Sequence, residues 1–265
     1  WGSPVVYGTI ILGVVVIALF AYRQLHMDTP FLELRVFKSR IFTLSTVLAS
    51  IANMAMVGAE MVIPLYLQII HGKSALESGL TLLPGALMMA VMSPITGTIF
   101  DRIGAKRLAQ MGLFTLAVAT IPYAFVTATT PSIYITVLYA VRMFGISMTM
   151  MPLTTNGMNA LSQDLVGHGT AVNNTLRQIA SSITTAIMVS VLTNVTNQHS
   201  PAHALLKADP LAYKNSFFNA TLDGYHAAFW IAVGFSALGW ILAFFLNTKM
   251  NSTEVKPNKA AKEAA

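Results

Sequence analysis

The sequence is poor in two kinds of residue that soluble proteins use freely, cysteine and charged residues. None of its 265 positions is cysteine, which excludes disulfide bonds, a cysteine nucleophile and a thiolate metal site. Charged residues make up 10% of the chain and apolar residues 55%, whereas soluble domains carry about 25% charged residues. This balance predicts a protein embedded in a lipid bilayer.

Motifs of catalysis are also missing from the sequence. It contains no P-loop, no H-E-x-x-H motif and no recognisable nucleophile–base set. We therefore expect neither an enzyme nor an ATP-driven pump, with no catalytic residues, no resident metal and no cofactor.

The net charge of +6 does not indicate a nucleic-acid partner. Lysine and arginine fall between apolar runs and form no continuous basic stripe. The distribution of the positive charge instead indicates how the chain is oriented in the bilayer. The lipid bilayer is therefore a predicted partner.

Seven apolar runs approach the roughly 20 residues that a helix needs to cross a bilayer. They are approximately 4–22, 41–70, 77–100, 107–127, 132–155, 169–195 and 225–247. Hydrocarbon offers no hydrogen-bond partner to an open strand, so each run must be helical. The sequence therefore predicts an all-α polytopic membrane protein with seven transmembrane helices.

The connections between the runs differ in charge. Of the 16 lysines and arginines, 11 fall in one alternating set of connections, three in the other and two inside runs. The positive-inside rule places the basic set in the cytoplasm. This set comprises 23–40, 101–106, 156–168 and the tail, and the outer set comprises 71–76, 128–131 and 196–224. The C-terminus is therefore predicted to be cytoplasmic.

Three stretches outside the runs have distinct compositions. Residues 23–40 mix apolar and charged side chains and predict a short interfacial helix or linker. The outer connection 196–224 is polar and is either an ordered cap or a flexible loop. The tail, 248–265, is rich in lysine and alanine and is predicted to be disordered.

The connection between the third and fourth runs carries the pattern G-x-x-x-D-R-x-G-x-K-R. It is formed by Gly97, Asp101, Arg102, Gly104, Lys106 and Arg107. Gly97 allows close helix approach, and Gly104 permits a tight turn. Asp101 near the positive end of the next helix is stabilised by about 0.3–1 kcal/mol, and such a charge lock can bias one conformer. An ordinary cytoplasmic turn is the alternative interpretation.

This pattern resembles the cytoplasmic signature loop of the major facilitator superfamily. Other segments are similar to the C-terminal part of its fourteen-helix drug:proton antiporters, the bacterial multidrug efflux permeases. They are 64–68, 72–75, 79–85 and 169–178. The resemblance covers residues 4–247.

The resemblance implies a division of the chain into four parts. They are a truncated linker transmembrane helix (1–22), a cytoplasmic amphipathic linker (23–40), the six-helix C-terminal transporter bundle (41–247) and a disordered basic cytoplasmic tail (248–265). The N-terminal helix bundle of such a transporter is missing from the sequence and is the expected partner.

The resemblance also implies a function. Members of this group export small lipophilic or cationic compounds, antibiotics included, across the bacterial inner membrane in exchange for protons, with the proton gradient as energy source. Two alternatives stay open. The first is an uptake carrier or facilitator of the same fold, and the second is a membrane scaffold or receptor with a transporter-like bundle.

Glu60 is the only acid that falls inside a predicted span. An ionisable residue at this depth is expensive and is therefore a functional candidate. Helical spacing aligns it with other residues on one stripe, which are Asn53, Met56, Pro64 and Gln68. We expect Glu60 to carry the coupled proton, the alternatives being a packing hydrogen bond or solvation near the outer end.

Arg142 lies at a depth comparable to that of Glu60, about 15 Å from the outer end of its run at 1.5 Å per residue. The family architecture implies that the first and fourth bundle helices line the central cavity, and these are the second and fifth runs here. A Glu60–Arg142 pair is therefore a hypothesis, in which proton uptake by Glu60 releases Arg142.

A polar stretch in the sixth run contains Asn174, Arg177 and Gln178. With Asn53, Met56 and Gln68 they are candidates for cavity or gating residues. The alternative for Arg177 is that its long side chain extends back to the cytoplasmic surface.

Two further patterns are weaker signals. The 15 methionines and 14 phenylalanines fit a deformable drug cavity, but they equally fit apolar filler in the membrane. His199 and His203 have the spacing of a metal pair, yet no third ligand accompanies them, so a polar outer loop is the preferred interpretation.

Overall fold

The computed structural model describes residues 4–27, 32–201 and 209–246. Six long α-helices occupy this part of the chain. They are α1 (Pro4–His26), α2 (Arg40–Ile69), α3 (Ala75–Thr120), α4 (Ser132–Met158), α5 (Val166–His199) and α6 (Pro210–Ala243). Each is long and apolar enough to cross a membrane, and these ranges contain no strand. The predicted all-α polytopic class is confirmed. The predicted disordered tail and His203 lie outside the described residues.

The third and fourth predicted spans form one helix, α3, with a break inside it. A straight helix of 46 residues would be about 69 Å long at 1.5 Å per residue, far more than a bilayer core. Gly104 interrupts it with φ 77° and ψ 165°, a backbone conformation that favours glycine. The break divides α3 into a first leg, 75–103, and a second leg, 105–120. Two helical legs therefore occupy the third and fourth predicted spans, and the glycine break between them falls within the predicted connection 101–106.

The predicted outer connection 196–224 is wrong over much of its length. Helix α5 continues to His199, and α6 already begins at Pro210. The Asp209 carboxylate caps α6 by accepting hydrogen bonds from the N–H groups of Leu211 and Ala212, each at 3.0 Å. Polar residues in the first turns of α6 made this stretch look like a loop, although its cap and its proline at the first position are helix-start signals.

Helices α2 and α4 form the centre of the bundle. About half of the apolar stretch of each is buried, at 50% and 56%, against 11% for α3 and 17% for α5. Two apolar clusters fill the space between them. One surrounds Tyr66, Tyr123 and Phe229 near the predicted outer end, and the other surrounds Leu48 and Leu113 towards the opposite end. Residues on the inward faces of α2 and α4 are thus held rigidly.

The N-terminal helix α1 stands apart from the bundle. Nearly all of its apolar side chains are exposed, and its buried residue is Gln24, whose side-chain oxygen accepts from the Leu32 N–H at 3.1 Å. The linker that follows contains a 3-10 helix, Leu34–Lys38. Leu32 and Val36 of the linker pack against Phe42 and Val172. The linker is therefore seated on the bundle at its predicted cytoplasmic end.

Hydrogen bonds tie the loops together at the predicted outer end. The Tyr66 hydroxyl donates to the Thr127 carbonyl at 2.6 Å, and His71 Nε2 lies 3.0 Å from the same hydroxyl. His226 Nε2 lies 2.6 Å from the Val126 carbonyl oxygen. Partial burial, together with the nearby Lys73 charge, lowers the pKa of His71 below its usual range. The neutral imidazole is thus the form that suits this network.

The second leg of α3 and helix α4 approach each other closely at two glycines. A Cβ added to Gly112 would lie 2.6 Å from the Gly145 carbonyl oxygen, and one added to Gly145 would lie 2.8 Å from the Gly112 oxygen. Backbone atoms cannot move aside as a flexible side chain can. Small residues at both positions are therefore required for this helix pair.

We expect Gly112→Val to destabilise the protein because it separates the second leg of α3 from α4. Overpacking of this kind costs about 1–3 kcal/mol and should lower the midpoint of thermal unfolding measured on detergent-purified protein. Gly234→Val in α6 is the matched control, since a Cβ there meets nothing within 4 Å. Equal midpoints for the two variants would contradict the close approach.

Candidate functional site

Glu60 lies in the last third of α2, on the predicted stripe. Asn53 on this stripe is buried, whereas Met56, Glu60 and Gln68 are half-buried. Pro64 has no N–H, so the Glu60 carbonyl lacks its usual helical donor four residues further on. The Glu60 carboxylate and the Glu60 backbone carbonyl are therefore both available as hydrogen-bond acceptors at the same depth in the bundle.

The sequence predicted Glu60 to be the only acid within a membrane helix, and this prediction is wrong. The helices extend beyond the apolar runs and include Glu77, Asp101 and Asp223 as well. These three are exposed, whereas Glu60 is half-buried. Among the acids of the described membrane helices, Glu60 is thus the one whose charged form is least well solvated.

Arg142 is fully buried in α4, with no exposed surface. Its guanidinium donates one hydrogen bond to the Thr120 hydroxyl at the end of α3 and another, of 3.0 Å, to the Ala55 carbonyl of α2. Its Nε is buried and has no hydrogen-bond partner. The side chain therefore joins three helices at one level, although its hydrogen-bonding capacity is not fully used.

Glu60 and Arg142 are close without being in contact. Within the described ranges no ion pair of 4.0 Å or less joins them. Glu60 lies five residues beyond Ala55, the residue that Arg142 contacts, which is about 7.5 Å along the helix axis. The hypothesised pair is thus not formed in this conformation, because Arg142 is bound to neutral acceptors instead.

The signature-loop residues lie at the α3 kink. Asp101, Arg102 and Arg107 are exposed, and Lys106 is half-buried. No ion pair of Asp101 is found in the described part of the chain. A Cβ added to Gly97 would lie 3.0 Å from Met151 Cε of α4, so this glycine sits at a tight contact between the first leg of α3 and α4.

Asn53 connects α2 to α5. Its side-chain Nδ2 donates to the Arg177 carbonyl at 3.1 Å and to the Ser181 hydroxyl at 2.6 Å. Asn53 is 5% exposed, so its side chain is fixed by these contacts. The Arg177 turn of α5 is thereby anchored to the central helix.

A polar groove runs along the open side of α5. Its first part has a volume of about 250 Å³ and is lined by Asn53, Asn174, Arg177, Gln178 and Ser181. It continues through Gln178 and Ser181 into a wider open part of about 680 Å³. The wider part is lined further by Ser182, Thr185, Ala186, Val189 and Ser190. We call these two parts together the α5 groove.

The predicted cavity and gating residues thus separate into two groups. Asn53, Asn174, Arg177 and Gln178 meet in the α5 groove. Met56 packs against the apolar cluster around Leu48 and Leu113, and Gln68 lies about four helical turns from Asn53 along α2. Sequence reasoning brought the first four together as polar residues, but it had no signal for how α2 and α5 are aligned.

Thr120 and the Ala55 carbonyl are functional candidates that sequence reasoning missed. A threonine at a helix end and a backbone oxygen carry no distinctive pattern, and only the packing of three helices brings them to Arg142. His199 Nδ1 lies 3.7 Å from a carboxylate oxygen of Asp223. No group of three metal-ligating side chains occurs among residues 4–27, 32–201 and 209–246.

The fold and the site together define an integral membrane protein built around a buried cation, a nearby acid and a polar groove. The sequence matches the Major Facilitator Superfamily over residues 2–185. The chain therefore belongs to this superfamily of membrane transporters, as its signature loop indicated.

Several curated relatives are similar over most of the chain. The uncharacterized MFS-type transporter YcnB of Bacillus subtilis is 39% identical over 97% of this chain and 52% of its own length. The lincomycin resistance protein LmrB of Bacillus subtilis is 38% identical over 93% of this chain and 50% of its own length. LmrB of Listeria monocytogenes is 40% identical over 72% of this chain and 41% of its own length. The chain thus spans about half the length of these relatives.

Proposed function

We propose that this chain is the C-terminal half of a proton-driven exporter of small lipophilic compounds. Membership of the Major Facilitator Superfamily and similarity to proteins named for lincomycin resistance support drug export. Proton coupling is supported by Glu60, a half-buried acid near the buried Arg142. Neither residue is needed to fill space, since apolar side chains would do so at lower cost.

Proton coupling requires a group whose charge changes during the cycle. A carboxyl in a poorly solvated site can bind a proton from one side and release it to the other when its surroundings change. We assign this role to Glu60. When Glu60 is ionised, its charge attracts Arg142, and when it is protonated, Arg142 is released to the Ala55 carbonyl and the Thr120 hydroxyl.

Arg142 is the candidate switch in this cycle because its contacts join α2, α3 and α4. Movement of its guanidinium from the Ala55 carbonyl towards Glu60 would change how α2 packs against α4. The binding of a proton at Glu60 is thereby coupled to the position of a central helix. Proton binding can shift this equilibrium when the two positions of Arg142 lie within a few kcal/mol of each other and the protonated state favours one of them.

Alternating access in this superfamily rocks one bundle against another around a site between them. The described helices after the linker form one such bundle, and the α5 groove is open on one side. We therefore propose that an N-terminal bundle covers this side in the complete transporter, and that this chain alone does not transport. An uptake carrier or facilitator of the same fold would not require Glu60 to titrate, whereas a scaffold or receptor would not move solute at all.

The test is transport by the complete reading frame in inside-out membrane vesicles. We expect an imposed acidic interior to drive accumulation of lincomycin, the compound for which the LmrB relatives are named, and a protonophore to collapse it. The present chain expressed alone should give no accumulation. Equilibration of the compound that is indifferent to the proton gradient would support a facilitator, and no movement of it by the complete protein would favour a scaffold or receptor.

A further inference from the structure

The α5 groove contains a cation, Arg177, with no counterion in the described part of the chain. Among the described residues Arg177 forms no ion pair, and no hydrogen bond of its guanidinium is found. Its Nε is buried and unpartnered. A buried donor without an acceptor costs about 1–3 kcal/mol, and more when it is charged. A ligand that supplies an anionic acceptor would remove this cost.

The residues around Arg177 are suited to such a ligand. The other groups lining the first part of the groove are two asparagines, a glutamine and a serine, and none of the lining residues is acidic. Asn174 and Gln178 are exposed on the side that the N-terminal bundle is proposed to face, so their amide groups can donate to a ligand bound between the two bundles. Arginine with neighbouring amides and hydroxyls is the arrangement that proteins use to bind carboxylates, sulfonates and phosphates.

The wider part of the groove differs in character. Ala186 and Val189 contribute apolar surface there, alternating with hydroxyl groups of Ser182 and Thr185. The groove thus has a cationic, hydrogen-bonding end next to a partly apolar end. A molecule that matches both ends has an acidic head and an apolar body.

We propose that the α5 groove binds the acidic head of amphipathic organic anions at Arg177, and that such anions are substrates of the transporter. This inference rests on the proposed function and narrows its substrate class. Lipophilic cations, which the family resemblance had implied, would face Arg177 in the first part of the groove with no acid to pair with.

The test compares two ligands of nearly the same shape, 1-naphthoate and the neutral 1-naphthamide. Their binding to the purified complete transporter is measured by scintillation proximity, in nanodiscs of neutral lipid. We expect naphthoate to bind roughly 10-fold or more tightly than naphthamide, as a charge-assisted hydrogen bond implies. Arg177→Gln should remove this preference, and Arg177→Lys should retain part of it. Lys214→Gln, at an exposed position on α6, is the control for loss of one positive charge.

Three results would overturn the inference. They are equal binding of the two ligands by the wild type, no naphthoate binding, and a preference that survives Arg177→Gln. An anionic lipid headgroup has the same chemistry as the proposed head, so the measurement is repeated in nanodiscs containing phosphatidylglycerol. Loss of naphthoate binding there would assign the groove to lipid and would overturn the substrate assignment.

The outcome is separable from that of the proposed function. Proton-driven export without a preference for naphthoate would refute only the assignment of organic anions. Conversely, an Arg177-dependent preference for naphthoate over naphthamide in a complete protein that transports nothing would refute export and would still support the anion-binding site.

Discussion

Replacing Glu60 by glutamine is expected to abolish proton-driven export while the protein is made and inserted normally. Glutamine has the shape of a protonated glutamate but cannot release a proton, so the coupled cycle should stop at one step. Transport driven by a pH gradient in inside-out vesicles should fall by roughly 100-fold or more, as expected when an essential group is lost, in the range of acid–base groups in enzymes. Exchange of substrate across the membrane without a gradient should persist, because it requires no net proton movement.

Glu77→Gln provides the matched control for this experiment. Glu77 is an exposed acid that closes a capping box with Ser74 at the start of α3, and glutamine is also accepted at this position of the box. The same chemical change there should leave export unaltered. Glu60→Asp, which keeps a titratable group, should retain part of the activity. Undiminished pH-driven export by Glu60→Gln would remove Glu60 from the coupling mechanism.

Replacing Arg142 by methionine is expected to have opposite effects on stability and on transport. Arg142 is a fully buried cation with no acid within 4.0 Å in the described part of the chain, so its desolvation is poorly compensated. Replacing buried charges by apolar residues of similar volume is often neutral or stabilising by about 1–4 kcal/mol. Methionine is unbranched and flexible, so it can follow the same path.

The two groups that Arg142 leaves behind each keep another hydrogen bond. The Thr120 hydroxyl donates to the Leu116 carbonyl at 2.6 Å, and the Ala55 carbonyl lies inside α2, where a helical N–H four residues on is its donor. We therefore expect Arg142→Met to unfold at an equal or higher temperature than the wild type while pH-driven export is lost. Arg142→Lys, which keeps the charge, is the control. A marked fall in the unfolding temperature of Arg142→Met would show that Arg142 serves packing.

The sequence allowed the class of the protein and the central stripe of α2 to be predicted. Hydropathy and charge are sufficient for the class because the bilayer leaves few structural choices. The stripe that contains Glu60 follows from helical spacing alone. The glycine of the signature loop was likewise expected to permit a turn, and Gly104 has the positive φ that such a turn requires.

Helix ends and contacts between helices could not be predicted in the same way. Hydropathy marks where a helix enters hydrocarbon, so it placed the start of the last span near 225 although the Asp209 cap begins α6 at Pro210. The partners of Arg142 depend on the register of α2, α3 and α4, which no local pattern encodes. The same holds for the α5 groove, where Asn53 and Arg177 are separated by more than 120 residues along the chain.

The central claim, that Glu60 carries the coupled proton, is tested most directly by proton release on substrate binding. The purified complete transporter is mixed with an exported compound in weakly buffered detergent solution containing a pH indicator. We predict that the wild type and Glu77→Gln acidify the medium by about one proton per transporter, and that Glu60→Gln binds the same compound without acidification. Equal proton release by Glu60→Gln and the wild type would contradict the account.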